Sequence, residues 1–171
     1  MTRQRPLKGA ATDNWRPFSF RARDGLSLFA RDYGPRESRL TPLLCLAGLS
    51  RNSKDFEELA TFINKGNHPK RRVLCLDYRG RGQSGHDPDW RNYTPLTEML
   101  DTLDLMAAAG IGHACLLGTS RGGLIAMLMA AARPAALAGV VLNDIGPEID
   151  PSGLARIISY VGKLPRPEDW D

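Results

Sequence analysis

The sequence predicts an α/β fold: a mostly parallel sheet of about six strands with an antiparallel hairpin at its N-terminal side. Three observations lead to this fold class. Apolar and polar residues alternate with period two early in the chain, short continuous apolar runs follow, and helical patterns lie between those runs. A chain that alternates strands and helices in this way forms an open sheet with right-handed crossovers.

The N-terminal hairpin is predicted from the alternation and from one turn signal. Phe18, Phe20 and Ala22 alternate with polar neighbours, as in a strand with one buried face. Asp24-Gly25 favours a tight turn, and residues 26–33 return as the partner strand.

Four short apolar runs predict the strands that follow the hairpin. Each run is bounded by glycine or polar residues, which is typical of strands buried on both faces of a parallel sheet. The runs are residues 43–47, 73–76, 114–117 and 140–142.

Two amphipathic helices are predicted between the first three of these strands. The first has apolar residues at i, i+3, i+4 and i+7 over residues 56–63, with Ser53 as its cap. The second begins at Thr94-Pro95 and is ended by Gly110. Its apolar stripe consists of Leu96, Leu100, Leu103 and Ala107.

The last two helical segments differ in character. Residues 121–133 are apolar almost all round, so we expect this helix deep in the protein, where Pro134 ends it. Residues 154–161 carry their apolar side chains on one side, and Pro165-Arg166-Pro167 then breaks the pattern.

Composition excludes several classes of protein. The 171 residues carry a net charge of +4, half of it in residues 1–14, which we expect to be a disordered tail; no nucleic-acid partner is predicted. The longest apolar run has nine residues, too short for a membrane span, and the N-terminus has no apolar core of a secretory signal. Three widely spaced cysteines inside apolar runs indicate buried free thiols, so we expect a reducing, cytoplasmic location.

The chemistry is predicted at a Gly-x-Ser-x-Gly turn between the third apolar run and the apolar helix. Gly118, Ser120 and Gly122, followed by Gly123, fit a nucleophile elbow. The turn is so tight that residues two before and two after the serine must lack side chains. Ser120 then projects at a helix N-terminus, where amides favour a developing oxyanion. The alternative is an ordinary glycine-rich turn.

A second loop is predicted to complete an oxyanion hole. Residues 43–47 lead into Gly48 and Leu49, and we expect the amide of Leu49 to act beside the amide of Arg121. The alternative is that Gly48 only permits a tight loop.

Taken together, these motifs resemble the α/β-hydrolase superfamily, in its esterase, lipase and haloperoxidase-like branch. Two departures are Ala47-Gly48, where the family often has His-Gly, and Arg121, where it often has an apolar residue; we expect the Arg121 side chain to face solvent. The resemblance covers most of residues 40–150, in the stretches LLCLAGLSRNSKDFEELA, VLCLDYRGRGQSGHDPDWRNYTP, ACLLGTSRGGLIAMLMAAARP and LAGVVLNDIGPEID.

A glycine-rich run at residues 80–85 also fits the spacing of a dinucleotide-binding turn. That interpretation requires a helix to open there, and His86-Asp87-Pro88 does not start one. We expect a loop beside the active site, tied down by Asp77 and Arg79.

The positions of the histidines indicate which members of a serine–acid–histidine catalytic triad this sequence contains. In the α/β-hydrolase fold the acid and then the histidine follow the serine, whereas His68, His86 and His113 all precede Ser120. The resemblance therefore implies the N-terminal portion of a hydrolase, truncated before its last strands: residues 15–150 of the core and, in residues 151–171, the start of a cap.

A triad acid is a further candidate. Asp144 follows the strand after the elbow helix, where some family members carry their acid. The alternative, which we favour, is that Asn143-Asp144 hydrogen-bonds the following turn.

The resemblance implies a serine hydrolase of carboxylic ester or related acyl bonds that needs no metal or cofactor and takes a small acyl substrate. Alternatives within the fold are C–C bond hydrolysis, lactonase, haloperoxidase-like or acyltransferase activity. A different class is a non-catalytic remnant or binding module. We expect the isolated chain to be inactive and to self-associate, because its last strand would form a bare apolar edge.

Overall fold

The computed structural model describes residues 14–161 and residue 163. The tail expected at residues 1–14 lies outside the described residues except for Asn14. The proline break at residues 165–167 and the end of the expected cap lie outside them as well.

Six strands form one sheet in the described part of the chain. They are β1 (Trp15–Arg21), β2 (Ser27–Tyr33), β3 (Leu43–Leu46), β4 (Val73–Asp77), β5 (Ala114–Thr119) and β6 (Leu137–Asn143). The sheet order is β1-β2-β4-β3-β5-β6. β2 is antiparallel to β1 and β4, whereas the β4-β3-β5-β6 pairings are parallel. The predicted fold class is thus confirmed.

Four α-helices connect or follow the strands within the described ranges. They are α1 (Glu57–Ile63), α2 (Pro95–Ala108), α3 (Arg121–Ala132) and α4 (Pro151–Tyr160), with short 3-10 turns at Ser53–Phe56, Trp90–Asn92 and Pro134–Ala136. The central strands β3 and β4 are almost completely buried, as their continuous apolar runs predicted. The same prediction is wrong for residues 140–142 of β6, which are exposed because no described strand pairs with their outer side.

The predicted cap of the first helix is wrong. Asn52, not Ser53, caps the 3-10 turn that leads into α1: its side chain accepts a hydrogen bond from the Lys54 amide at 3.0 Å. The Ser53 amide instead donates to Asp77 Oδ1 at 2.8 Å. Ser53 therefore ties the loop after β3 to the end of β4.

The start and end of α2 are as predicted, but its buried face is only partly so: Leu100 and Leu103 pack against the core, whereas Leu96 and Ala107 are exposed. Thr94 accepts a hydrogen bond from the Thr97 amide, Pro95 occupies the first turn, and Gly110 follows the helix with φ +69°. Leu96 is 57% exposed. The fully covered face contains acids because arginines of other segments reach them; it consists of Glu98, Met99, Asp101, Thr102, Leu105 and Met106.

Helix α3 packs on β3, β5 and β6 of the sheet and also on α2. Gly122, Ile125, Ala126 and Met129 are buried, whereas Leu128 is exposed, so the expectation that this helix lies wholly in the interior is wrong for its outer face. Among the described residues no element covers that face completely.

Candidate active site

Ser120 stands between β5 and α3 in a strained backbone conformation. Its φ is +49° and its ψ is −109°, a region that residues with a side chain rarely adopt. The Ser120 amide donates to the carbonyl of Asn143 at 2.9 Å, and its carbonyl accepts from the Gly123 amide. The turn is thus held to the end of β6 on one side and to α3 on the other. Such strain at a βα turn is typical of functional sites.

The glycines around Ser120 are required by close backbone approaches. A Cβ at Gly118 would overlap the carbonyl oxygen of Gly122. A Cβ at Gly122 would overlap the carbonyl oxygen of Leu46 in β3, not residue 118 as the tight-turn argument assumed. A Cβ at Gly123 would overlap the side chain of Ile145. The turn is therefore closed on itself and fits against two other segments, β3 and the residues after β6.

The loop after β3 reaches Ser120. A Cβ built on Gly48 would lie 4.0 Å from the Cβ of Ser120. Leu49 follows Gly48 directly, and Arg121 is the first residue of α3. The first amides of a helix have no carbonyl within the helix to bind. The two amides predicted for an oxyanion hole, those of Leu49 and Arg121, thus belong to the two segments that meet at Ser120.

The side chain of Arg121 is not directed to solvent, which corrects that expectation. It is 14% exposed, its Nε donates to Glu98 Oε2 at 2.6 Å and its NH2 donates to the carbonyl of Tyr93 at 3.1 Å. Glu98 is fully buried and also accepts from Arg81 NH1 at 2.9 Å. Two guanidinium groups compensate the one buried carboxylate, as burial of a charge requires.

The glycine-rich loop after β4 is tied down by the two residues expected to do so. Asp77 accepts from the amides of Ser53 and Gln83, each at 2.8 Å. Arg79 is 1% exposed and makes a two-pronged contact with Asp101, with further contacts to Asp87 and Asp24. The Asp101 contacts, opposed by burial, raise the pKa of Arg79.

Sequence reasoning missed the acids of this cluster. Glu98 and Asp101 lie three residues apart, so they share one face of α2. That spacing was the available signal, but it is equally typical of a solvated face. Only the arginines at positions 79, 81 and 121 distinguish the two cases, and they lie on other segments.

The three histidines of the chain lie in described segments, and none has a recorded hydrogen bond to Ser120. His68 Nε2 lies 2.9 Å from the carbonyl of Ile63, at the far side of α1. His86 and His113 are exposed, and His113 precedes the opposite end of β5.

Asp144 lies one residue beyond the β6 residue that pairs with the Ser120 turn. Asn143 pairs with Thr119, and its Nδ2 donates to Thr119 Oγ1 at 3.2 Å. Asp144 has φ +54° and an exposed side chain for which no hydrogen bond to the described residues is recorded. The Asn143 side chain thus bonds the end of β5, and among the described residues neither Asn143 nor Asp144 makes the predicted side-chain bond to the following turn.

A groove of about 660 Å³ lies away from Ser120, beside α1 and the end of β2. It contains none of the predicted site residues; Tyr33, Gly34 and Asn64 are among its lining residues. Within the described ranges no group of three potential metal ligands was found, and no helix there is long and apolar enough to cross a membrane.

The fold and this turn define a class of protein. A mostly parallel sheet in which a Gly-x-Ser-x-Gly turn joins a buried strand to a helix is the architecture of α/β hydrolases. The model of the family described as the alpha/beta hydrolase fold matches residues 41–162, and the chain belongs to this family.

Individual relatives match over part of their length. A 3-hydroxybutyrate-oligomer hydrolase from Cupriavidus necator is 35% identical over 120 residues, which is 70% of this chain and 40% of the relative. An sn-1-specific diacylglycerol lipase from Danio rerio is 33% identical over 109 residues, 64% of this chain and 33% of the relative. A crystal structure of an α/β hydrolase from Novosphingobium aromaticivorans matches with TM-score 0.80 at 44% identity, covering 90% of this chain and 52% of that one. The chain thus spans between a third and about half of the length of these proteins.

Proposed function

We propose that this chain supplies the nucleophile of a serine hydrolase that cleaves a carboxylic ester or a related acyl bond. The observation that supports this proposal most directly is the strained backbone of Ser120, which lies at the N-terminus of α3 and beside Gly48 of the loop after β3. The Cupriavidus and Danio relatives, whose names denote ester cleavage, support the same substrate class.

In the proposed reaction Ser120 Oγ attacks the carbonyl carbon of the acyl group. The hydroxyl proton passes to a general base, and the carbonyl oxygen becomes an oxyanion that accepts hydrogen bonds from the amides of Leu49 and Arg121. Collapse of this intermediate expels the alcohol, which takes the proton. Water then releases the acid from Ser120 by the same steps.

The general base in this proposal is a histidine that the present sequence does not contain. A serine hydroxyl without a base is a weak nucleophile. Asp144 is the acid candidate, because it follows the β6 residue that pairs with the strand end before Ser120. An acid from another polypeptide segment is the alternative.

The proposal is tested by hydrolysis of p-nitrophenyl acetate. We expect the 171-residue chain to turn over no faster than its Ser120→Ala variant, apart from a weak rate due to the oxyanion hole. A robust Ser120-dependent rate that disappears in His68→Ala, His86→Ala or His113→Ala would show that the base is within this chain.

A non-catalytic role is the second candidate, and the placement of the histidines favours it. Reading the gene downstream of codon 171 separates the two. A frame that continues into a late histidine, with Ser120-dependent turnover by the longer product, supports the enzyme; a stop codon supports a binding module. Other acyl chemistry of the fold would appear as turnover of lactones or as transfer to an added alcohol.

A further inference from the structure

One buried carboxylate connects to both segments of the proposed oxyanion hole. Glu98 has no exposed surface, and each of its oxygens accepts from a different arginine. One arginine, Arg121, carries a proposed oxyanion amide. The other, Arg81, belongs to the glycine-rich loop after β4. Two series of contacts therefore start at Glu98: the path through Arg121 and the path through Arg81. Each path leads towards one of the two proposed oxyanion amides.

The path through Arg121 is direct. Arg121 Nε lies 2.6 Å from Glu98 Oε2, and its NH2 reaches the carbonyl of Tyr93 at 3.1 Å. The guanidinium is thus fixed at two points. Because the side chain and the amide share one Cα, fixing the guanidinium restricts how the first turn of α3 can rotate beside Ser120.

The path through Arg81 reaches the loop after β3. The Arg81 guanidinium lies 5.4 Å from the ring centroid of Tyr78, over its face, which is an attractive arrangement. The buried Tyr78 hydroxyl donates to the carbonyl of Ala47 at 3.2 Å. Ala47 is followed by Gly48 and Leu49, so this path ends two residues before the other proposed oxyanion amide.

We propose that Glu98 is a positioning residue that fixes the Leu49 and Arg121 amides relative to each other. This inference rests on the proposed function for its catalytic meaning, but the geometry it predicts can be measured without turnover. An oxyanion hole stabilises charge only when both donors are already aligned with it, so an anchor common to both would matter to the rate.

The same helix offers a matched control. Asp101 lies one turn after Glu98, is 1% exposed, and accepts two hydrogen bonds from Arg79 at 2.7 and 2.8 Å. No recorded contact joins Asp101 to Arg121 or to the loop after β3. Asp101→Asn therefore disrupts a neighbouring buried carboxylate–arginine pair while every contact of the two paths keeps both of its partners.

The experiment compares Glu98→Gln with Asp101→Asn by amide resonances in 15N–1H spectra. We expect Glu98→Gln to shift the amides of both Leu49 and Arg121, and Asp101→Asn to shift both much less at a comparable loss of stability. Unchanged Leu49 and Arg121 resonances in folded Glu98→Gln, or equal shifts in Asp101→Asn, would overturn the proposal.

A milder variant keeps the test decisive if Glu98→Gln does not fold. Tyr78→Phe removes only the hydroxyl that donates to Ala47, so we expect the Leu49 amide to shift and the Arg121 amide to stay. An unmoved Leu49 amide in Tyr78→Phe contradicts the path through Arg81.

Labelling of Ser120 by a fluorophosphonate separates this inference from the proposed function. We expect slow labelling of wild type, because the sequence supplies no general base, and a limiting rate at least about tenfold lower in Glu98→Gln, since loss of one oxyanion donor lowers rates by about 10²–10³. Labelling equal to wild type in folded Glu98→Gln overturns the positioning role. No labelling of wild type at Ser120 agrees with the missing general base of the proposed function, and the amide resonances then decide the role of Glu98 by themselves.

Discussion

At the scale of single residues, the Ser120 turn depends on glycines that meet different neighbours. Gly118 lies against the backbone of Gly122, whereas Gly122 lies against the carbonyl of Leu46 in the next strand. The second contact joins α3 to the sheet, so a side chain there would push the helix away from β3. Glycine is therefore required at position 122 because α3 packs closely against β3 there.

We predict that Gly122→Val lowers the free energy of unfolding by about 1–3 kcal/mol, the usual range for a core side chain that does not fit. Gly112→Val is the control, because a Cβ there meets nothing within 4 Å and its φ is not positive. Urea denaturation of both variants measures the difference. If the urea midpoint of Gly122→Val equalled that of Gly112→Val, the close contact between Gly122 and β3 would be contradicted.

Asp144 provides the second prediction at this scale. Left-handed backbone costs a residue with a Cβ about 1–2 kcal/mol, while glycine adopts it freely at some entropic cost in the unfolded chain. We expect Asp144→Gly to be at least as stable as wild type. Asp89→Gly should be less stable, since Asp89 has φ −95° and its side chain accepts from the Arg91 amide. A comparable loss in both, measured by urea denaturation, would mean that the Asp144 carboxylate makes a stabilising bond.

Local motifs and long-range contacts differ in how well the sequence predicts them. Ser120 and its glycines could be identified because all the residue types that the turn requires occur within six consecutive positions. The orientation of Arg121 could not, because its partner Glu98 is 23 residues away and on another helix. When the position of Glu98 is unknown, an arginine near a loop is expected to point into solvent.

At the scale of elements, the strands were easier to predict than the helix faces. Apolar runs such as those of β3 and β4 are buried on both sides, so no choice of face arises. In α2 the apolar periodicity correctly placed Leu100 and Leu103 against the core, but the fully buried side also carries Glu98 and Asp101. A prediction from apolar periodicity places carboxylates at the surface. It is wrong where arginines neutralise the charge of a buried carboxylate.

The hairpin is fastened to α2 by a contact that should depend on pH. Asp104 accepts from the Arg23 amide at 2.8 Å and from its guanidinium at 2.8 and 3.1 Å. Burial opposes ionisation, but these hydrogen bonds outweigh it and lower the pKa of Asp104 below its ordinary 3.8. The folded protein therefore binds this proton less tightly than the unfolded chain does. The resulting stability is present above pH 3.8 and is lost as the pH falls through the folded value.

We predict that Asp104→Asn is less stable than wild type at pH 6 and that the difference shrinks as the pH falls below 3.8. Urea midpoints of the two proteins between pH 6 and pH 2.5 measure it. A difference that stays constant or grows on acidification would contradict the assigned direction of the pKa change.

At the scale of the whole molecule, the two sides of the sheet end differently. β1 closes one side with polar residues among its exposed positions, while β6 forms the other edge among the described residues. Val141 at the centre of β6 is 56% exposed, and Ile158 of α4 is 64% exposed. The apolar face of α4 does not cover the edge, although its amphipathic pattern was correctly predicted. Burial of that face depends on contacts that the described residues do not supply.

We predict that the 171-residue chain self-associates through the β6 edge, since unpaired backbone groups beside apolar side chains form a template for another strand. Light scattering at micromolar concentration should show species larger than a monomer, with ANS fluorescence enhanced. Val141→Lys should reduce both signals because a charge at the centre of the edge opposes pairing. Phe62→Lys should not, although Phe62 is 74% exposed, because it lies on α1 and away from this edge. A monodisperse wild-type monomer without ANS binding, or equal effects of the two lysine variants, would show that β6 is not the surface through which copies meet.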